Sequence, residues 1–225
     1  AYALDVTDAA ALSRMVEAVA AQWGGIDALV CNAGIIKPVD VAGLTPSIVD
    51  AHIDIMLRAP MHMISAAVPN MLARKAGHVL ATVSMGGIVA MPGSSAYSAA
   101  KFGMRAFLAA LSAEVGSQGL KVSGIYPSAV DTPMLREEAS SGGSPLNFVG
   151  EVKSIDDVAD AYERALDTGK LEFYIPYADG ITGRLTSLKP SSVPKLLPPL
   201  SKIGERGRLK YLASPEPDWN RSARS

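Results

Sequence analysis

The stretch GHVLATVSMGGIVAMPGSSAYSAAKFGM, residues 77–104, changes period partway through. GHVLATVS is a nearly continuous apolar run, as expected of a strand covered on both faces. From Ser95 to about residue 116 small and apolar residues recur at helical spacing. A strand followed by a helix is the repeating unit of a parallel sheet, whose crossovers are right-handed and whose ligands bind at the carboxyl ends of the strands. Ser84 stands at such an end. Tyr97 and Lys101, four residues apart near the helix start, project from one helix face.

The alternation extends to both sides. Tyr2 to Val6 reads as a short strand, with Thr7 or Asp8 capping a helix whose apolar positions are Leu12, Met15, Val16 and Val19. IDALVCNAG, ending at Gly34, is the next strand, and a long helical pattern runs from about Pro46 to Leu72. LKVSGIYP and LEFYIP are further strands. Between them Ser154 caps a helix to residue 168, with Ala159, Ala161, Ala165 and Leu166 inward. This order predicts an α/β fold, a doubly wound parallel sheet, over residues 1–183. Residues 184–225 form a basic, Pro/Gly-rich extension in which Arg184, Lys189, Lys195, Lys202, Arg206, Arg208 and Lys210 face one acid, Glu205, before residue 214. It reads as a solvated tail packed by LPPL on the domain. A sharper alternative lays it on an anionic membrane interface, against which its prolines argue, because such contact needs a helix.

Composition narrows the function classes. The chain has 225 residues, 48% hydrophobic and 19% charged, a net charge of −1 and a pI near 6.4, so it carries no overall basic field for nucleic acid. One cysteine, Cys31, allows no internal disulfide, and it reads as a small hydrophobe. No uninterrupted apolar run is long enough to span a bilayer, and AYALDVTD is not a signal peptide, so a soluble cytoplasmic protein is expected. His52, His62 and His78 lack partners at ligand spacing, and no metal site is predicted. Met56, Met61, Met63 and Met71 suggest an adaptable apolar face on the long helix.

No histidine lies between Ser84 and Lys101, so a proton moved there is moved by another group. An ammonium beside a phenol favours its ionised form and brings it toward the working range. A strand-end serine hydroxyl can hold a carbonyl oxygen as charge develops on it. Ser98 and Lys101 also spell S-x-x-K, the nucleophile motif of penicillin-binding acyl enzymes, but the companion S-D-N and K-T-G motifs are missing.

Ser84, Tyr97 and Lys101, with Pro92 and Gly93 between, resemble the active-site pattern of the short-chain dehydrogenase/reductases. NAG at Asn32, Ala33 and Gly34, YPSAVDTPM with Pro127, Val130 and Thr132, and the pair Asp5-Val6 resemble further motifs of that family, over about residues 2 to 176. The resemblance implies a Rossmann-like fold and hydride transfer between NAD or NADP and a carbonyl or alcohol. It gives Tyr97 the role of acid and base, Lys101 that of holding the ribose, and Ser84 that of orienting the carbonyl. Asp5 and Val6 would touch adenine, Asn32, Ala33 and Gly34 the sheet end and the ribose, and Pro127, Val130 and Thr132 the nicotinamide. It also implies a homodimer or homotetramer built on the Pro46–Leu72 and Tyr97 helices.

Three positions depart from the family. The glycine-rich TGxxxGxG turn is absent, so the first two strands and the choice between NAD and NADP would lie before Ala1. The chain alone is expected to bind dinucleotide weakly and to leave an apolar sheet edge unpaired. Met56 stands where the family usually has an asparagine that orders a relay water, and Ser128 replaces a glycine. These departures motivate an alternative, a non-catalytic scaffold or binding protein of the same fold. The segment from Met134 to Val149, with its SSGGSP core, would cover the substrate as a flexible loop. Leu135, Leu146, Phe148 and Val149 there point to a hydrophobic ketone or alcohol.

Overall fold

The structure is a computed structural model and describes residues 1–215; the last ten residues of the 184–225 extension lie outside the described residues. The elements run α1 (Ala9–Trp23), β1 (Ala28–Cys31), α2 (Pro46–Ile53), α3 (Ala59–Arg74), β2 (Gly77–Thr82), α4 (Ser95–Val115) and β3 (Leu120–Pro127). They continue with α5 (Pro133–Ser140), α6 (Ile155–Thr168), β4 (Glu172–Ile175), α7 (Tyr177–Ser187) and α8 (Val193–Ala213). The four strands pair in parallel in the order β1-β2-β3-β4.

Strand alternation sorts the core into two layers. Val79 and Ala81 of β2 join Val122 and Tyr126 of β3 on the face covered by α1, α3 and α4, through Val16, Ile64, Met71, Met104 and Leu108. Leu80 and Ile125 point the other way, onto Ala161 and Ala165 of α6. Each fully buried Leu or Ile stabilises the fold by about 1.5–3 kcal/mol relative to exposure, and the buried polar pair of the two central strands, His78 and Ser123, is joined by a hydrogen bond. Helix starts follow local chemistry. The Asp8 carboxylate accepts from the Ala11 amide, Thr45 caps α2 with Pro46 at the first position, and Ser154 and Asp157 form a reciprocal capping box on α6.

Several expectations are corrected. Tyr2–Val6 is not a strand. An extended segment becomes one only when a neighbouring strand takes its backbone groups, and no described strand pairs with it; the Asp8 amide donates to the Asp5 carbonyl. Instead the Asp5 carboxylate accepts from both the amide and hydroxyl of Thr7, each at 2.8 Å, and turns the chain into α1. The Pro46–Leu72 helix is continuous but carries a π turn at Asp54–Arg58, which shifts its phase. Met56 and Met71 are buried and Met63 packs against the same core as Met71, while Met61, two residues before Met63 and so on the opposite side of the helix, is exposed; the four methionines share no single face. On α6 the inward row is Val158, Ala161, Tyr162 and Ala165, and Ala159 and Leu166 are exposed, lying off that row.

The segment 134–149 is not a flexible loop. Thr132 caps α5, a 3-10 turn follows at Pro145–Phe148, and Leu135, Ala139 and Phe148 pack with Tyr211 of α8. Within the basic extension α8 is likewise unbroken, running through Pro198 and Pro199. Pro194 falls in the first turn, where the missing N–H costs nothing, and tertiary contact carries the helix past the other two. That contact requires glycine. A Cβ on Gly204 or Gly207 would lie 2.0 or 2.1 Å from the carbonyl oxygen of Pro145 or Phe148. Leu197 and Leu200 of LPPL are half-buried, and Arg184 lies inside α7. Among the described residues no helix is long and apolar enough to cross a membrane.

Candidate active site

At the carboxyl end of β2 the Val83 and Ser84 amides both donate to the Ile125 carbonyl, at 2.7 and 3.3 Å, and the strand ends. Ser84 has φ 102° and ψ 154°, a strained conformation for a residue with a Cβ, worth on the order of 1–3 kcal/mol. Its Oγ accepts from the Gly86 amide at 3.1 Å, fixing the turn. The Tyr97 ring lies against that turn so closely that a Cβ on Gly86 would come 2.7 Å from Cε1. Gly86 thus sets the distance between serine and tyrosine.

Lys101, 5% exposed, reaches back across the strand end, where its Nζ donates to the Thr82 carbonyl at 2.8 Å and sits 5.7 Å from the Tyr97 ring centroid. Burial pushes the ammonium down to about 8. Burial likewise pushes the Tyr97 phenol up to about 12, against a lowering hydrogen bond from Ser84 and with a raising field from Glu138. The expectation that lysine brings the phenol toward neutrality is corrected: in this state desolvation outweighs charge, and the lysine spends its hydrogen bond on a backbone oxygen.

Thr82 is a junction that the sequence did not single out. Besides its carbonyl, its Oγ1 donates to Asn32 Oδ1 at 2.5 Å, tying β2 to the turn after β1, and pairs with the Tyr162 hydroxyl of α6 at 2.5 Å. A hydroxyl two residues before Ser84, on the same strand face, was the available signal. Cys31, nearby, is buried, and its thiol is pushed up to about 12 by burial alone.

Asn32, Thr82, Ser84, Tyr97, Lys101 and Tyr162 line one cavity of about 870 Å³. Ser84, Tyr97 and Lys101 form one wall together with Asn32, Ala33 and Gly34, and Pro127, Val130 and Thr132 contribute another. Thr132 both donates to the Val130 carbonyl and accepts from the Leu135 amide. Ser128 donates to the Asp179 carboxylate at 2.5 Å, anchoring the turn after β3 to α7. Met56, 1% exposed, reaches the cavity beside Gly34. Asp5 and Val6 are not among the lining residues. The cavity also takes in Glu138 and Asn147, joined by a 2.9 Å hydrogen bond, with burial raising the Glu138 carboxyl. Neither was legible beforehand, because a Glu in a polar stretch reads as exposed. Ser98 is buried in α4 and does not line the cavity, which leaves the S-x-x-K pattern without an accessible nucleophile.

The family model described as short chain dehydrogenase matches residues 1–142. An uncharacterized NAD-dependent oxidoreductase of Mycobacterium tuberculosis is 34% identical over 137 residues, 60% of this chain and 50% of that protein. The chain spans about half the length of the first curated relatives it matches, 54% for the oxidoreductases of two Listeria species. Among solved structures, a short-chain dehydrogenase from Streptomyces avermitilis superposes with a TM-score of 0.72 at 26% identity, covering 85% of this chain and 77% of that one. The structure described as ElxO with NADP bound gives a TM-score of 0.70 at 21% identity, covering 77% and 75%, a likeness of fold.

Proposed function

We propose, because this chain belongs to the short chain dehydrogenase family, that it carries the reaction centre of an oxidoreductase that uses NAD or NADP on a carbonyl or alcohol substrate. The observation that carries the proposal is the convergence of Ser84, Tyr97 and Lys101 on one wall of a single cavity. The residues present fit the nicotinamide and ribose portion of such a dinucleotide. A buried ammonium, the backbone of Asn32 to Gly34 and the Pro127–Thr132 turn surround a space of about 870 Å³. The dinucleotide, when bound, supplies or takes up the hydride.

The chain's own groups then do the rest. Tyr97, whose phenol is held near 12, carries its proton at neutral pH and is set to donate it to a carbonyl oxygen as hydride reaches the adjacent carbon. Ser84 Oγ donates to the same oxygen and shares the developing charge. Lys101 stands close enough to stabilise the tyrosinate left behind and to donate to a ribose hydroxyl. Met134, Leu135, Ile155 and Val158 give the substrate side an apolar lining, in keeping with a hydrophobic ketone. The chain pairs with itself through α3 and α4, where Met61 and Phe102 are exposed. A scaffold without catalysis is the second reading, favoured by Met56, because a thioether at that wall offers no hydrogen bond to a relay water.

The test is Tyr97→Phe in the complete protein, assayed for reduction of a panel of hydrophobic ketones. Loss of at least about a thousandfold in kcat with dinucleotide affinity retained is expected, in the upper range of general acid catalysis. Activity within a few-fold of the parent would refute the assignment, and a parent inactive on every ketone would favour the scaffold.

A further inference from the structure

Charge in this chain is separated. Residues 177–213 hold seven of its 21 Lys and Arg but only two of its 22 acids, Asp179 and Glu205. Both acids are engaged: Asp179 accepts from Ser128, and Glu205 pairs with Arg208 through two of its nitrogens. The segment is thus +5 in a chain that is −1, which leaves −6 on everything else. That asymmetry points to an anionic partner for one region, not to a property of the whole surface.

The geometry of the region specifies the partner further. On α8 the inward row is Leu197, Gly204 and Tyr211, and the opposite face carries Lys195, Lys202, Arg206 and Lys210 as an exposed ridge. Leu196 and Ile203 flank the ridge on one side and Leu209 and Leu212 on the other, all exposed. Tyr177, Ile181, Leu185 and Leu188 of α7 and its end recur at helical spacing and are between 43% and 81% exposed. Cations interleaved with large aliphatic side chains suit a surface that offers anionic groups above hydrocarbon. Nucleic acid would use the cations and leave the aliphatic groups in water. The objection drawn from the prolines falls, because α8 is continuous through Pro198 and Pro199.

We propose that α7 and α8 form a peripheral docking surface for anionic phospholipid bilayers, with the Lys and Arg of α8 at the headgroups and the flanking Leu and Ile at the acyl boundary. The contact is reversible and superficial, since no described helix is long and apolar enough to cross a membrane. It leaves the Pro145–Phe148 turn, on which Gly204 and Gly207 of α8 rest, behind α8 on the side away from the lipid.

The test is flotation of the 225-residue chain with phosphatidylcholine vesicles and with vesicles containing phosphatidylglycerol, which is independent of catalysis and leaves aggregated protein at the bottom of the gradient. Flotation is expected with the anionic vesicles only. It should be lost as salt rises from about 0.1 M to 1 M, which shortens screening from about 10 Å to 3 Å. The double variant Lys202→Ala, Arg206→Ala should weaken binding on the order of 25-fold, about fivefold per cation, with unchanged far-ultraviolet circular dichroism. No flotation with anionic vesicles, equal flotation with neutral ones, or salt-insensitive binding would each overturn the proposal. Should the variant misfold, the salt series on the parent decides alone.

Discussion

Replacing Lys101 by methionine should make the fold's stability respond differently to pH. The ammonium of Lys101, a residue of α4, is buried against the end of β2, and its pKa is pushed from 10.5 to about 8. In the folded chain the charged form is disfavoured, so between these two values the unfolded chain binds more protons and stability rises with pH. The penalty is fully present below pH 8, fades between pH 8 and 10.5, and is gone above. Worked from those two values, the parent gains on the order of 2–3 kcal/mol between pH 7 and pH 10 that the Lys101→Met variant does not gain. The lost hydrogen bond to the Thr82 carbonyl adds an offset of about 1.5–3 kcal/mol that does not vary with pH. Tyr97 is common to both proteins and cancels. Urea unfolding of both chains at a series of pH values from 7 to 10 measures the difference directly. A difference that stays constant within about 0.5 kcal/mol across that window would refute the buried-ammonium account.

Thr82→Val removes the hydroxyl shared by Asn32 and Tyr162 while leaving the carbonyl that holds Lys101, and should cost about 1–3 kcal/mol in urea unfolding. Gly86→Ala forces the Tyr97 ring away from a Cβ only 2.7 Å from Cε1, and should lower kcat on the order of a hundredfold with folding largely kept. His78, bonded to Ser123 at 2.8 Å, is held down at about 4 by burial and by Lys121, so its contribution is present above pH 6.5 and is lost as pH falls through 4. Acid unfolding of His78→Gln should therefore lack part of the parent's pH dependence in that window, on the order of 1–2 kcal/mol after solvent screening, and identical curves would count against it.

The elements most legible in sequence were those whose signal is local and complete. LKVSGIYP gave β3 with both ends placed, and the small and apolar residues after Ser95 gave α4 to within a residue. Asp8 and Ser154 announced their helices because a side chain three residues from its own acceptor needs nothing else. Tyr2–Val6 misled because strand formation depends on a neighbour that no local pattern contains. The methionine face misled because Met61 and Met63 are two residues apart, a spacing that places them on opposite sides of any helix. Pro198 and Pro199 argued against a helix that packing on residues 145–148 nonetheless sustains. In the cavity, Ser84, Tyr97 and Lys101 were readable from spacing. Thr82, Glu138 and Tyr162 were not, since they matter through contacts between elements far apart in the chain.

Cys31 makes the chain its own stopwatch. It is the sole thiol of the chain, it is buried on β1, an edge strand of the described sheet, and its proton is held to about pH 12, so a thiol reagent in neutral solution meets no reactive sulfur in the folded state. Modification must wait for β1 to lift from β2. At low reagent the yield counts how often that margin is open, and at saturating reagent the rate becomes the frequency of opening itself. Every substitution discussed above can then be timed at this one atom, without adding a label.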